Sequence, residues 1–70
     1  MGSGTRLNLR IFRVSKVLSQ QGMAAKLGYK RALYGHVESG RQAGSEDFWR
    51  KLQEVFNLTD ERIEELKAVD

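Results

Sequence analysis

A chain of 70 residues without a single cysteine has no covalent staple, so it must hold its shape by packing alone. At that length folding buries only about 60% of the surface the unfolded chain exposes, which leaves room for one small core. A structural zinc centre is excluded by the same count, because the lone histidine, His36, cannot stand in for four protein ligands. One domain built from local, helix-rich contacts is therefore expected. No proline occurs anywhere. No apolar run approaches the roughly 18 residues of a membrane span. Residues 6–16 carry a basic side chain every three or four positions, unlike a signal peptide. A cytoplasmic protein, host-, phage- or plasmid-encoded, is the expectation.

The net charge of +3 conceals an asymmetry. Residues 1–42 hold eight lysines and arginines against Glu38 alone, a balance of +7. Residues 43–70 hold four against eight acidic residues, a balance of −4. A basic half within a small domain suits a polyanionic partner. The plainer alternative is a mixed surface that keeps a small protein soluble.

Residues 1–5 read as a flexible leader or expression scar, and residues 6–70 as the domain. In residues 6–18, Leu7, Leu9 and Ile11 alternate as in a strand, while Leu7, Ile11, Val14 and Leu18 follow a helical period. With no turn signal before Ser19, a helix with that second set inward is expected. Ser19 is a good N-cap for residues 20–27, with Met23, Ala24 and Leu27 on one stripe. Gly28 ends that helix, and Gly22 inside it costs about 1 kcal/mol against alanine. Residues 30–39 form the next helix, with Tyr34 and Val37 inward and Gly40 closing it. After a loop at residues 40–44, Ser45 caps a fourth helix, whose Glu46 and Asp47 favour the helix dipole. Phe48, Leu52, Val55 and Phe56 form its expected buried stripe. Asn57 stops it, Thr59 caps a fifth helix, and Ile63 and Leu66 point inward. The spacing thus predicts an all-α fold of five short helices with no strand.

Two helices joined near Gly28 by about three residues form a helix-turn-helix. From Leu18-Ser-Gln-Gln-Gly-Met-Ala-Ala-Lys-Leu-Gly28 through Val37-Glu-Ser-Gly-Arg41, the sequence resembles the Cro and phage-repressor type, the XRE family. Ser19-Gln20 opens the second helix, and Ala24 stands where only a small side chain lets the two helices cross. Gly28 falls at the turn, Glu38 and Gly40 follow at the expected distance, and the Phe48/Leu52/Phe56 helix comes next. The likeness spans roughly residues 7–66. It implies a five-helix lambda-repressor-like domain that binds double-stranded DNA as a transcriptional regulator, with repression expected.

In that reading residues 30–39 enter the major groove, which admits an α-helix. Its outward face carries Lys30, Arg31, Ala32, Gly35 and His36. Arg31 is the candidate for direct readout, because a guanidinium can bridge guanine O6 and N7; contact with phosphate alone is the alternative. Ala32 suits a thymine methyl, or is a plain helix former. His36 suits a base or phosphate, or is an idle surface histidine. Lys30 occupies a position where the family usually has a serine or threonine cap. The resemblance makes Gln20, Arg41 and Gln42 phosphate contacts, with a longer-range contribution from Lys16. It also pairs Arg13 with Glu38 as a structural ion pair that orients the reader helix.

Leu33 and Gly35 make that face smaller and more apolar than a typical base-reading surface, so shape and phosphate contacts gain weight. A second reading is an antitoxin-like protein-interaction module on the same fold, built on Leu33, Tyr29, Trp49 and the acidic last helix; Tyr29 itself is expected in the core, and Trp49 either caps the core or lies in a dimer face. Membrane-surface binding by residues 6–18 is a third, set aside because the apolar side is expected to be the core face. An enzyme is not expected: there is no cysteine nucleophile, phosphate loop, metal cluster or cofactor motif. Since one reader helix covers only a few base pairs, a homodimer on DNA is expected, with Trp49 and Leu66 as contact candidates. No small-molecule effector site is expected within the chain.

Overall fold

The computed structural model describes residues 4–69, and five helices follow one another in it: α1 (Leu7–Ser15), α2 (Gln20–Leu27), α3 (Arg31–Glu38), α4 (Glu46–Phe56) and α5 (Asp60–Lys67). No strand occurs among the described residues. Of the leader expected at residues 1–5, residues 1–3 lie outside the described part, while Gly4 and Thr5 are half-buried. No helix among the described residues is long and apolar enough to cross a membrane.

Local chemistry sets most boundaries. The hydroxyls of Ser19, Ser45 and Thr59 accept the backbone N–H of Gly22, Phe48 and Arg62 at 2.9, 3.0 and 3.1 Å. Each cap satisfies a donor that the first turn leaves open and contributes about 1 kcal/mol. Gly28 (φ 77°) and Asn57 (φ 55°) end α2 and α4 in the left-handed region. Lys30 and Ser39 bracket α3 as its terminal residues, and Lys30 makes no side-chain cap bond.

Phe48 sits at the centre of the core. Trp49 meets it edge-on at 4.9 Å, and Tyr29 and Tyr34 approach at 5.5 and 6.0 Å between ring centroids. Leu9, Met23, Leu27, Val37, Leu52 and Leu66 fill the space around it, all fully buried. Phe12 of α1 closes one end against Phe56, edge-on at 5.1 Å. These aromatic contacts each contribute about 1 kcal/mol beyond the area they bury.

Several expectations are corrected here. Helix α1 ends at Ser15, and its core face is Leu9 and Phe12, not Leu7, Ile11 and Val14. The reason lies in the charges: Arg6, Leu9 and Arg13 share one side of the helix, and both arginines have interior partners. Leu7, Ile11 and Val14 consequently face solvent, so the apolar side of α1 is not the core face it was expected to be. Val55 is also exposed, because the buried arc of α4 is centred on Phe48, Trp49 and Leu52. Leu66, expected as a dimer contact, is buried within the core, and of the two places open to Trp49, a cap on the core or a dimer face, the structure gives the core. Tyr29 does pack against the core as expected, half-buried at its edge, with its hydroxyl donating to Asp47 at 2.5 Å.

Candidate nucleic-acid interface

Helices α2 and α3 are joined by Gly28, Tyr29 and Lys30. The N–H groups of Gly28 and Tyr29 donate back to the carbonyls of Ala25 and Ala24, and Ala24 is buried where the two helices pack. Its single methyl lets the backbones approach. On α3, Tyr34, Val37 and Glu38 turn inward. Arg31 and Ala32 are exposed and Gly35 and His36 half-buried, within one arc on the opposite side. Lys30 is exposed at the leading end, and Leu33 is half-buried at the edge of that arc.

The trailing end of α3 is fastened by a buried polar cluster. Glu38 Oε2 accepts Arg13 Nε–H at 2.8 Å and the Tyr34 hydroxyl at 2.8 Å. Its Oε1 accepts the Gln20 side-chain amide at 3.0 Å and Arg13 Nη2 at 3.3 Å. Arg13 also donates from Nη1 to the Leu18 carbonyl at 2.7 Å, so one guanidinium ties α1 both to α3 and to the turn before α2. Burial alone would push the Glu38 carboxyl up. The donors from Arg13, Gln20 and Tyr34 outweigh it and hold the carboxyl below the ordinary glutamate range. The same burial, with the neighbouring carboxylate, pushes the Tyr34 phenol up. No buried side-chain nitrogen or oxygen among the described residues lacks a partner.

A second fastening, which the sequence did not announce, is Arg6. Its side chain is buried with no carboxylate partner among the described residues and donates to four carbonyls: Val37 at 2.7 Å, Gln42 at 2.8 Å, Ala43 at 3.3 Å and Lys67 at 3.0 Å. Its own N–H donates to the Glu38 carbonyl at 2.8 Å, and the guanidinium lies 5.6 Å over the Trp49 ring. The available signal was its spacing from Leu9 and Arg13, three and seven residues on. The loop after α3 is thereby held from two sides, since the N–H groups of Arg41 and Gln42 also donate to the His36 carbonyl. Gly40 (φ 84°) completes the closure: a side chain there would overlap the Gly4 carbonyl, 1.5 Å from a Cβ position.

The expected phosphate contacts lie around this frame. Gln20 opens α2, but its side-chain amide is turned to Glu38 and lies beside Gly35. The Arg41 and Gln42 side chains are exposed at the loop, and exposed Lys16 lies at the end of α1, 5.3 Å over the Phe12 ring. Arg10, not singled out from the sequence, joins Gln20 and Ser39 in lining a depression of about 240 Å³ above the Arg13–Glu38 pair.

Charge pairing divides the chain sharply. Arg50, Lys51, Arg62 and Lys67, the cations of the acidic half, all lie within 4 Å of a carboxylate of their own helix. In the basic half Arg6 and Arg13 are spent inside. The other six, Arg10, Lys16, Lys26, Lys30, Arg31 and Arg41, make no ion pair among the described residues and are exposed.

The sequence profile of the helix-turn-helix domain family matches residues 7–66. No match was found among curated proteins or solved structures.

Proposed function

Because the chain belongs to the helix-turn-helix domain family, a DNA-binding family, we propose that it is a sequence-specific regulator that reads the major groove of duplex DNA with α3. The observation that carries this reading is the set of six exposed cations in residues 1–42 with no ion pair among the described residues, Lys26, Lys30, Arg31 and Arg41 on or next to α2 and α3, beside a half whose own cations are all paired. Such a surface attracts phosphates by releasing their counterions. Arg31 and Ala32 on the first turn of α3 take the base edges, with Lys30, Gly35 and His36 beside them. Gln20, Arg41, Gln42 and Lys16 take phosphates, and the Arg13–Glu38 pair sets the angle at which α3 leaves the body. The protein acts as a repressor by occupying its site as a homodimer, without a cofactor or catalytic step.

The test begins with duplexes selected from a random pool. Binding should weaken steeply as salt rises. Arg31→Ala should lower affinity for the selected site about tenfold and relax preference at one position. Arg41→Ala should weaken all duplexes alike and reduce the salt slope by about one. Equal, sequence-blind losses from both substitutions would show that α3 is not the reader. Salt-insensitive binding would favour the protein-interaction reading.

A further inference from the structure

The exposed stripe of α1 has no role in the DNA contacts above. Leu7, Ile11 and Val14 recur at helical spacing and are 42%, 56% and 57% exposed, and Val17 beyond the helix end is 91% exposed. Of the six large apolar side chains exposed among the described residues, three lie on α1 and Val17 follows two residues after its end, with Val55 and Val69 elsewhere. Val17 also holds a left-handed backbone (φ 59°), which a β-branched residue seldom adopts. A contiguous apolar strip of this kind marks a contact surface.

We propose that this stripe is where a second copy of the same chain packs when two copies bind adjacent half-sites. The proposal rests on the DNA reading. One α3 spans too few base pairs to hold a specific site, so two copies are needed. Trp49 and Leu66 are buried and cannot join them. The edges of the stripe decide its occupant. On one side stands Arg10, in the same depression as Gln20 and Ser39 and therefore on the side of α2 and α3. On the other stands Asn8, whose amide donates to the Glu65 carbonyl of α5. A dyad lying in the contact and running from the Asn8 edge to the Arg10 edge pairs the two α1 helices antiparallel. It turns both α3 helices towards the same duplex.

This arrangement also sets the two Arg10 side chains on a common edge. Their repulsion opposes pairing in free solution, and the phosphates between them relieve it. The free chain is then a monomer and pairs on DNA.

The full chain should sediment as a monomer alone, and two copies should bind a selected two-half-site duplex cooperatively. Ile11→Glu, at an exposed position, should keep the thermal melt and the affinity for a single half-site while lowering cooperativity at least tenfold. Because the chain has no cysteine, Ile11→Cys offers an independent readout: oxidation should link two copies on the duplex and not without it, whereas Val55→Cys should not link them. Wild-type cooperativity in Ile11→Glu, or equal crosslinking through Val55→Cys, overturns the proposal and leaves the DNA reading intact. A wild-type chain that selects no duplex overturns both.

Discussion

Replacing Glu38 by glutamine removes one charge and little volume at the point where α1, α2 and α3 meet. The carboxylate accepts four hydrogen bonds, two of them from Arg13, and all four donors converge on two oxygens. A glutamine offers one oxygen, and its amide hydrogens meet Arg13 whichever way it is turned. Hydrogen bonds to a charged partner contribute about 1.5–3 kcal/mol each, and breaking a buried pair costs about 3–5 kcal/mol. The Arg13 side chain keeps 12% of its surface exposed, so it recovers some hydration. The expected loss is about 2–4 kcal/mol. A domain of this size has roughly 4–10 kcal/mol in total, so the midpoint of a thermal melt should fall on the order of 15 °C at neutral pH.

The pH dependence gives a second handle on the same group. Because the folded carboxyl lies below its unfolded value, its contribution is fully present above about pH 4.5 and is lost as the pH falls through the folded value. Melts of the two proteins should therefore converge in acid. Circular dichroism at pH 7 and pH 3 measures both effects. A Glu38→Gln protein within 0.5 kcal/mol of the parent at pH 7, or a gap that widens in acid, would refute the reasoning.

Three further outcomes follow from single positions. Val17→Gly should raise stability by about 1 kcal/mol in urea unfolding, since the left-handed backbone that strains valine suits glycine. Arg6→Lys keeps the charge but cannot fork to four carbonyls, and should cost about 3 kcal/mol by the same assay and speed amide exchange at residues 40–43. Gly35→Ala should stabilise α3 by up to about 1 kcal/mol, its Cβ meeting the Gln20 amide at ordinary contact distance. The added methyl should nevertheless weaken binding to a selected duplex, because it stands on the face assigned to the bases.

What the sequence made legible was what neighbours in the chain decide. Ser19, Ser45 and Thr59 cap the helices they precede, and Gly28 and Asn57 stop those they follow. Each depends on a residue's own backbone preference or on a donor three residues away. The orientation of α1 was not legible, because apolar side chains lie on both sides of it. The choice fell to Arg6 and Arg13, whose partners come from α3, α5 and the loop after α3. An arginine bonded to carbonyls leaves no trace in composition, since every residue has a carbonyl. The charge count overstated the exposed charge through Arg6 for the same reason, while Arg13 was already expected to pair with Glu38. The six that remain outside are fewer, but they are the ones free to meet a partner.

The two inward arginines anchor the reader by unlike chemistry. Arg13 is matched to a group that a proton can discharge, and Arg6 to main-chain oxygens that no accessible pH alters. Acid therefore loosens only one of the two fasteners. The first change on acidification should be release of the Arg13 and Gln20 side chains from Glu38, while Arg6 keeps the backbone at residues 37–38 and 42–43 strapped to α5.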